Sequence, residues 1–412
     1  MREIRVRKYG GSSLADLERV RHVARGIAEL PRGSATVVVV SAQGDTTDGL
    51  LRTAAALGAP RTGRETDQLL ATGESASAAL LAMALAALGV PGVSLTGAQA
   101  GIAAVGPPGE GRIVDVATGP IRRLLDAGKV VVVAGFQGVT ADGDVLTLGR
   151  GGSDTTAVAL AVTLGARRCE IYTDVDGIYS ADPRIVPAAR RLATVDTEVM
   201  VEMAFAGAKV LHSRSVELAA ACGVELHVRT SLRPSPGTVV RKESDTAMLE
   251  ELGVLAVAYD PDVCRVLIRC DRAHRDPAVD VLGVLARYHA PVDLVARSGP
   301  YEDEFRMGFT MRRSDVARAV PELRAVVSEA GGSVVLDPDV AKVSLVGTGL
   351  LNRPQYTARL LSALAAAGIA TSWVATSQLR TSVIVPAGRA VEAVALLHRE
   401  FQLDGQPTLA SA

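Results

Sequence analysis

Aromatic residues are scarce in this 412-residue chain, 3% in all with a single tryptophan, so its cores must be filled by aliphatic side chains. Cysteine is scarcer still. Cys169, Cys222, Cys264 and Cys270 form no C-x-x-C pair, which excludes a disulfide framework and a zinc site and reads as four reduced core thiols. An excess of charge of either sign is also missing. A formal charge of −1 supplies no basic field for nucleic acid or anionic lipid, and neither is expected as a partner. The longest apolar run, residues 76–90, is shorter than the ~18 residues that argue for a bilayer span, and the first residues pass straight into a strand pattern without a leader. A cytoplasmic protein with no membrane anchor is the expectation. Lysine is rare too: Lys8, Lys129, Lys209, Lys242 and Lys342 stand among 44 basic residues, so a lysine in a loop marks a place that wants a compact point charge.

What is present is a globular composition, 48% hydrophobic and 22% charged, in a chain long enough for two domains or more. Up to about residue 230, β-branched runs at 4–9, 36–41, 92–95, 129–136, 169–173 and 225–229 alternate with helical periods at 14–30, 66–88, 119–127, 153–164 and 198–222. That alternation predicts an α/β domain over 1–245, a mainly parallel sheet sandwiched by helices, with ligands at the carboxyl ends of strands. A boundary follows Arg233-Pro-Ser-Pro-Gly-Thr. Residues 252–412 then read as two α+β units of β-α-β-β type, 263–337 and 340–410, with 252–260 as a further strand of the second. They carry no obvious catalytic residues and suggest a regulatory or oligomerising module.

Chemistry-bearing residues gather in the loops after the first domain's strands. In Lys8-Tyr9-Gly10-Gly11-Ser12-Ser13 the paired glycines let backbone amides approach an anion that Lys8 would neutralise, although a glycine pair there can also be a plain turn. In Gly149-Arg150-Gly151-Gly152-Ser153-Asp154-Thr155-Thr156 an arginine among glycines suits bidentate capture of a carboxylate. There Ser153 is either an N-cap or a ligand contact, and Asp154 needs a cation or amine to face it. Residues 173–184 carry Asp174, Asp176, Tyr179, Asp182 and Arg184 without the ligand pattern of a calcium loop, and fit a base and sugar or a solvated acidic loop. Ser41 to Thr47 and Thr72-Gly73-Glu74 complete the set, with Glu74 also readable as a helix-dipole partner and Lys209 as a surface lysine. Together they suggest phosphoryl transfer from a nucleotide to a small amino acid. A carboxylate acceptor is ionised at neutral pH and needs no general base, which fits six scattered histidines and the absence of G-x-S-x-G or H-E-x-x-H.

These loops resemble those of the aspartate kinases, within the amino-acid kinase superfamily, over almost the whole chain. Lys8 to Ser13 is similar to K-F-G-G-T-S, with Tyr9 for Phe and Ser12 for Thr. Ser41 to Thr47 is similar to S-A-M-G-x-T-T with Gln43 for Met, Thr72 to Glu74 to T-G-E, and Gly149 to Thr156 to G-R-G-G-S-D-T-T without change. Residues 173–184 resemble T-D-V-D-G-x-Y-x-x-D-P-R, and Lys209 with Leu211 to Ser215 resembles a later family segment in which Ser213 is normally Pro. The resemblance implies the amino-acid kinase fold followed by two ACT-like, ferredoxin-like units. It implies Lys8, Lys209 and Asp154 as catalytic charges, and Glu74 and Arg150 as holders of the amino and carboxylate ends of L-aspartate. Ser41, Thr47, Gly151, Gly152, Ser153 and Asp154 would line the acceptor site. Lys8, Gly10, Gly11, Ser12, Thr173, Asp174, Tyr179, Asp182, Arg184 and Lys209 would border ATP, used with Mg²⁺, with no side chain assigned to a metal.

The product implied is 4-phospho-L-aspartate, on the way to lysine, threonine and methionine, made by a homodimer or larger homo-oligomer joined through ACT domains. Lysine and threonine are the effectors the resemblance implies, at positions that include Asp293, Arg297, Gln355, Tyr356, Ser372 and Gln378. Several depart from the family pattern. Ser372 and Gln378 replace carboxylates that would accept an effector's ammonium, and Arg297 would repel a lysine side chain, so weakened feedback inhibition is expected. The alternatives are a kinase for another acidic amino acid in specialised metabolism and a non-catalytic amino-acid sensor.

Overall fold

The structure is a computed structural model and describes residues 3–31, 34–208, 210–242, 253–271, 277–298 and 304–405. By contact the chain divides into two units: 1–178, 191–204 and 209–247 form the first, and 179–190, 205–208 and 248–412 the second.

The first unit is built on an eight-stranded sheet in the order Thr194–Asp196, Thr238–Arg241, Glu225–Thr230, Arg168–Thr173, Ile4–Tyr9, Ala35–Val40, Val130–Ala134, Gly92–Leu95. Pairing is parallel from Glu225–Thr230 to the Gly92 edge, and antiparallel only between Glu225–Thr230 and Thr238–Arg241. Its middle is valine: Val37 to Val40 and Val131 to Val133 are all fully buried, as strands covered on both faces must be. The helix Gly152–Leu164 has buried residues on every side and runs through the core. A second, four-stranded sheet, Arg112–Val116, Ile102–Val105, Gln137–Val139, Val145–Thr147, has no counterpart in the sequence reading. Its strands are three to five residues long, too short for a period to register.

Three expectations change. The helix expected over 14–30 is shorter, Leu17–Ala28, preceded by a 3₁₀ turn, Gly11–Leu14, and beginning where the Asp16 side chain accepts the Arg19 N–H at 2.8 Å. The helix expected over 198–222 is two, Thr197–Phe205 and Ser213–Cys222. Cys222 is exposed, whereas Cys169, Cys264 and Cys270 are buried. The helix Arg64–Ala87 is long and apolar enough to cross a membrane by length and composition, more than the 76–90 run suggests. Half of its apolar window is buried within the protein, and Asp67 and Glu74 are among its buried residues, so it packs as a core helix.

The second unit holds two four-stranded antiparallel sheets. One runs Val292–Arg297, Glu304–Arg312, Val263–Asp271, Gly332–Asp337, and the other Val254–Asp260, Val340–Gly347, Arg380–Pro386, Ser372–Thr376. The first is packed by helices Ala278–Arg287 and Arg313–Glu329, the second by Pro354–Ala366 and Ala390–Glu400. The two are joined through an apolar cluster of Val263, Leu294, Val340 and Ile384, with Trp373 against it. Residues 179–190 belong to this unit's second core: Ala181, Val186 and Ala189 are buried with Val343, Leu345 and Leu397. Ser180 Oγ lies 2.9 Å from His398 Nε2 and donates to Leu403 O.

Candidate active site

The site is built where the strands Ile4–Tyr9, Ala35–Val40, Val130–Ala134 and Arg168–Thr173 end. Gly10 N donates to Tyr172 O at 3.0 Å and Gly44 N to Gly11 O at 3.1 Å, which stitches the first loop to its neighbours on either side. Gly11 is required here, since a Cβ would lie 2.6 Å from Ala42 O. Beneath the loop, Tyr9 and Tyr172 stack at 4.6 Å, and Arg7 pairs with Glu170 at 2.9 Å. Burial, only partly offset by Arg7, pushes the Tyr9 phenol up to about 12, so it stays neutral.

Lys8 leaves the end of its strand and meets Asp154 at 2.7 Å, in the first turn of Gly152–Leu164; both side chains are nearly buried. Asp154 thus has the cation its position calls for. The turn is possible because Gly151 sits in the left-handed region at φ 68°, where a Cβ would also strike the His212 side chain. Ser153 is buried, its Cβ 2.8 Å from where a side chain on Gly135 would start. The N-cap is Gly151 and Ser153 is the second residue inside the helix, which removes the N-cap reading. Arg150 is exposed and forms no ion pair among the described residues.

Glu74 lies well inside Arg64–Ala87 and not at its start, so the helix-dipole reading does not apply. Gly73 lets the helix come against Ala42, where a Cβ would be 2.9 Å away. The Ala42 N–H then donates to Glu74 Oε1 at 3.1 Å. The other oxygen, Oε2, is buried without any hydrogen-bond partner. Burial pushes this carboxyl up to about 7, against the pull of the Ala42 amide. A buried carboxylate with a vacant oxygen is an acceptor waiting for a donor, and an ammonium fits it.

Ser41 is half-buried and its amide donates to Tyr9 O at 3.1 Å; Thr47 is also half-buried, in the first turn of Thr46–Ala56. Thr173 donates its hydroxyl to Asp174 at 2.9 Å. Tyr179, Asp182 and Arg184 lie on the segment that groups with the second unit, where Asp182 accepts the Arg184 amide at 2.9 Å. Lys209 lies outside the described residues.

Residues to which the sequence reading gave no role of their own hold these loops. Asp67, on the helix of Glu74, accepts from Thr147 and Gly109. Arg214 donates to Leu148 O and Gly111 O, each at 2.9 Å. Gln137 Nε2 donates to Ala71 O at 2.9 Å. The spacing of Asp67 and Glu74, seven apart on one helix, was the signal available.

At the positions that the resemblance assigns to effectors, the second unit supplies its own partners. Asp293 takes Lys342 Nζ at 2.8 Å and both ends of the Arg380 guanidinium at 2.7 and 3.0 Å, and Lys342 also donates to Phe205 O. Burial works against the Asp293 carboxylate, but Arg380 and Lys342 hold it well below the usual range. Ser372 Oγ accepts from Arg265, and Tyr356 lies against Phe401. Arg297 is exposed beside the Phe305 ring, and Gln355 and Gln378 are exposed.

Comparison with known proteins agrees with this arrangement. Residues 3–230 match the amino acid kinase family and 343–401 the ACT domain. The aspartokinase of Thermus thermophilus is 43% identical over 97% of this chain and 98% of its own length. That of Mycolicibacterium smegmatis is 46% identical over 97% and 96%. A crystal structure of E. coli aspartokinase III with aspartate and ADP superposes with a TM-score of 0.82 at 24% identity, over 97% of this chain and all of that one, a likeness of fold. Fold and site together define an amino-acid kinase carrying ACT-like units. Within that class, the chain belongs to the aspartokinase family.

Proposed function

We propose that the protein transfers the γ-phosphoryl group of ATP to the side-chain carboxylate of L-aspartate, giving 4-phospho-L-aspartate. The observation that carries this reading is the vacant oxygen of buried Glu74, on an element that packs against the loop after the second strand. Glu74 receives the substrate ammonium and Arg150 its α-carboxylate, while Ser41, Thr47, Gly151, Gly152 and Ser153 line the acceptor's path. The side-chain carboxylate is already ionised and attacks without a general base. Lys8 meets the charge that develops on the transferring group, Asp154 holds Lys8 in place, and the amides at Gly10, Gly11 and Ser12 face the phosphates. Lys209, Thr173 and Asp174 complete the first unit's share of the nucleotide's surroundings in this reading. Among the described residues no three histidine, cysteine or acidic side chains converge as a metal cage. Mg²⁺ in this reading is carried on the nucleotide phosphates and would supply positive charge to the transferring group.

The second unit serves assembly and effector binding, with a homo-oligomer joined through its ACT-like parts, in the cytoplasm. Lysine and threonine act weakly here because the polar groups at Asp293 and Ser372 are engaged within the chain. Trapping the acyl phosphate with hydroxylamine, in ATP, Mg²⁺ and L-aspartate, tests the reaction. Hydroxamate formation is the expected result. A chain that binds ATP but yields none with aspartate, and yields it with another acidic amino acid, would move the assignment to that acceptor. No product with any of them would make it a sensor.

A further inference from the structure

We infer that Asp67 is a positioning residue that fixes the distance between the two ends of the amino-acid site and so sets its preference for aspartate over glutamate. The inference rests on the reading that Glu74 and Arg150 hold the substrate's α-groups.

Asp67 is 1% exposed and stands two helical turns before Glu74, on the same face of Arg64–Ala87. Its Oδ2 accepts the Thr147 amide at 2.8 Å and the Gly109 amide at 3.0 Å, and its Oδ1 accepts the Thr147 hydroxyl at 2.9 Å. Thr147 ends the strand Val145–Thr147, three residues before Arg150. One side chain therefore ties the helix that carries the ammonium acceptor to the loop that carries the guanidinium. Gln137 braces the same helix between the two acids, at Ala71. Among the described residues no cation faces Asp67, so what the carboxylate contributes is direction, three bonds converging from one strand end and one loop.

Aspartate and glutamate share their α-groups and differ by one methylene between those groups and the attacking carboxylate. A site that anchors the α-groups rigidly measures that difference, because a displacement of about 1 Å is enough to spoil in-line attack. Loosening the tie at Asp67 lets the anchors shift, which weakens aspartate and admits the longer acid.

The test compares steady-state kinetics for aspartate and glutamate, read as trapped hydroxamate, in the full chain and its variants. Asp67→Ala should raise the aspartate KM about tenfold with a smaller change in kcat, and lower the ratio of kcat/KM for aspartate over glutamate by a similar factor. Asp67→Asn should restore both, because its oxygen can accept the two amides while its NH₂ donates to the Thr147 hydroxyl. Leu85→Ala, a core truncation near the far end of the same helix, should lose thermal stability and keep the aspartate KM and the selectivity. If Asp67→Ala behaves like Leu85→Ala, the residue is structural only and the inference falls. Should Asp67→Ala not fold, Thr147→Val removes one of the three bonds. It should move KM and selectivity the same way by about threefold, and wild-type values would overturn the inference. Failure of the wild-type chain to make product from aspartate refutes the proposed reaction. Product from the wild type with an unmoved Asp67→Ala refutes the positioning role alone.

Discussion

The two units treat charge in opposite ways. In the first, the groups assigned to ligand are left short of partners: Glu74 has a buried oxygen that nothing donates to, and Arg150 forms no ion pair among the described residues. Among the described residues Lys8 has one counter-ion, Asp154. In the second, the acid at a position that the resemblance assigns to an effector is saturated. Asp293 takes Lys342 and a two-pronged Arg380, and Ser372 takes Arg265. Leaving a buried polar group unmet costs stability, and a protein bears that cost where a ligand will supply the missing bond. Saturating it makes a brace. The first unit is thus organised to receive charged small molecules, and the second, at these positions, to hold its two sheets together.

That contrast is broken most sharply at Lys8. Replacing it by Met should lower kcat about a thousandfold, since its charge is needed only as the transferring group develops its own. Arg should not rescue it, because a planar fork cannot take the place of a point charge against Asp154. Hydroxamate kinetics measure both, and a Met variant within tenfold of wild type would break the contrast. Glu74→Gln comes next, with the aspartate KM raised about a hundredfold through loss of the charged acceptor. The same residue gives a pH signature. With its carboxyl at about 7 in the free protein, kcat/KM for aspartate should fall about tenfold per unit as pH drops below that value, and Gln should abolish the slope. Stability moves the other way. A folded-state value raised above the unfolded one means the native chain holds the proton more tightly, so the contribution of Glu74 to stability declines as pH rises from the ordinary carboxyl range to about 7. Urea unfolding across that window, wild type against Glu74→Gln, reads the sign.

Much of this was legible in the sequence, for physical reasons. Parallel strands buried on both faces announce themselves as runs such as Thr36 to Val40, and glycines that must adopt φ > 0 or admit a neighbour stand out in the Gly149 to Gly152 loop. Lys8 and Asp154 were singled out separately and meet in space. What was not legible depends on partners distant in sequence. Asp67 shows no role until the strand end at Thr147 comes to it, and Arg214, noted only as part of the Leu211 to Ser215 segment, none until two carbonyls do. The strands at Gln137–Val139 and Val145–Thr147 are too short to show a period. Lys342 was noted as one of five lysines without a role. Its burial follows from a strand, Val340–Gly347, in which every residue is buried, so that only an acid from the neighbouring sheet makes the lysine tolerable.

That lysine supplies the third prediction, in the second unit. Asp293→Ala leaves the ammonium of Lys342, with a side chain 5% exposed, and the guanidinium of Arg380 without their carboxylate. Unfolding free energy should drop by about 2 kcal/mol, less than for a wholly buried pair because Asp293 itself is part-exposed. The stabilisation from Asp293 is present at neutral pH and is lost as pH falls below the ordinary aspartate range, since its folded-state value is depressed. Wild-type stability in the variant would dissolve the idea of a brace.

The smallest effect expected is that of free amino acids on the wild-type enzyme. An effector's ammonium needs an acceptor with capacity to spare, and its own carboxylate needs an unengaged cation. Asp293 is occupied by two cations, Ser372 already accepts from Arg265, and Arg297 adds a positive charge at the end of the strand that carries Asp293. Lysine, threonine or both together should therefore change the aspartate-dependent rate by less than about twofold at concentrations well above those of substrate. The comparison sharpens if Asp293→Asn, which surrenders the charge but keeps the shape, also leaves the rate indifferent to both amino acids. Strong inhibition of the wild type by either would mean that a ligand can displace the internal pairs, and that the second unit, like the first, keeps its charges for a visitor.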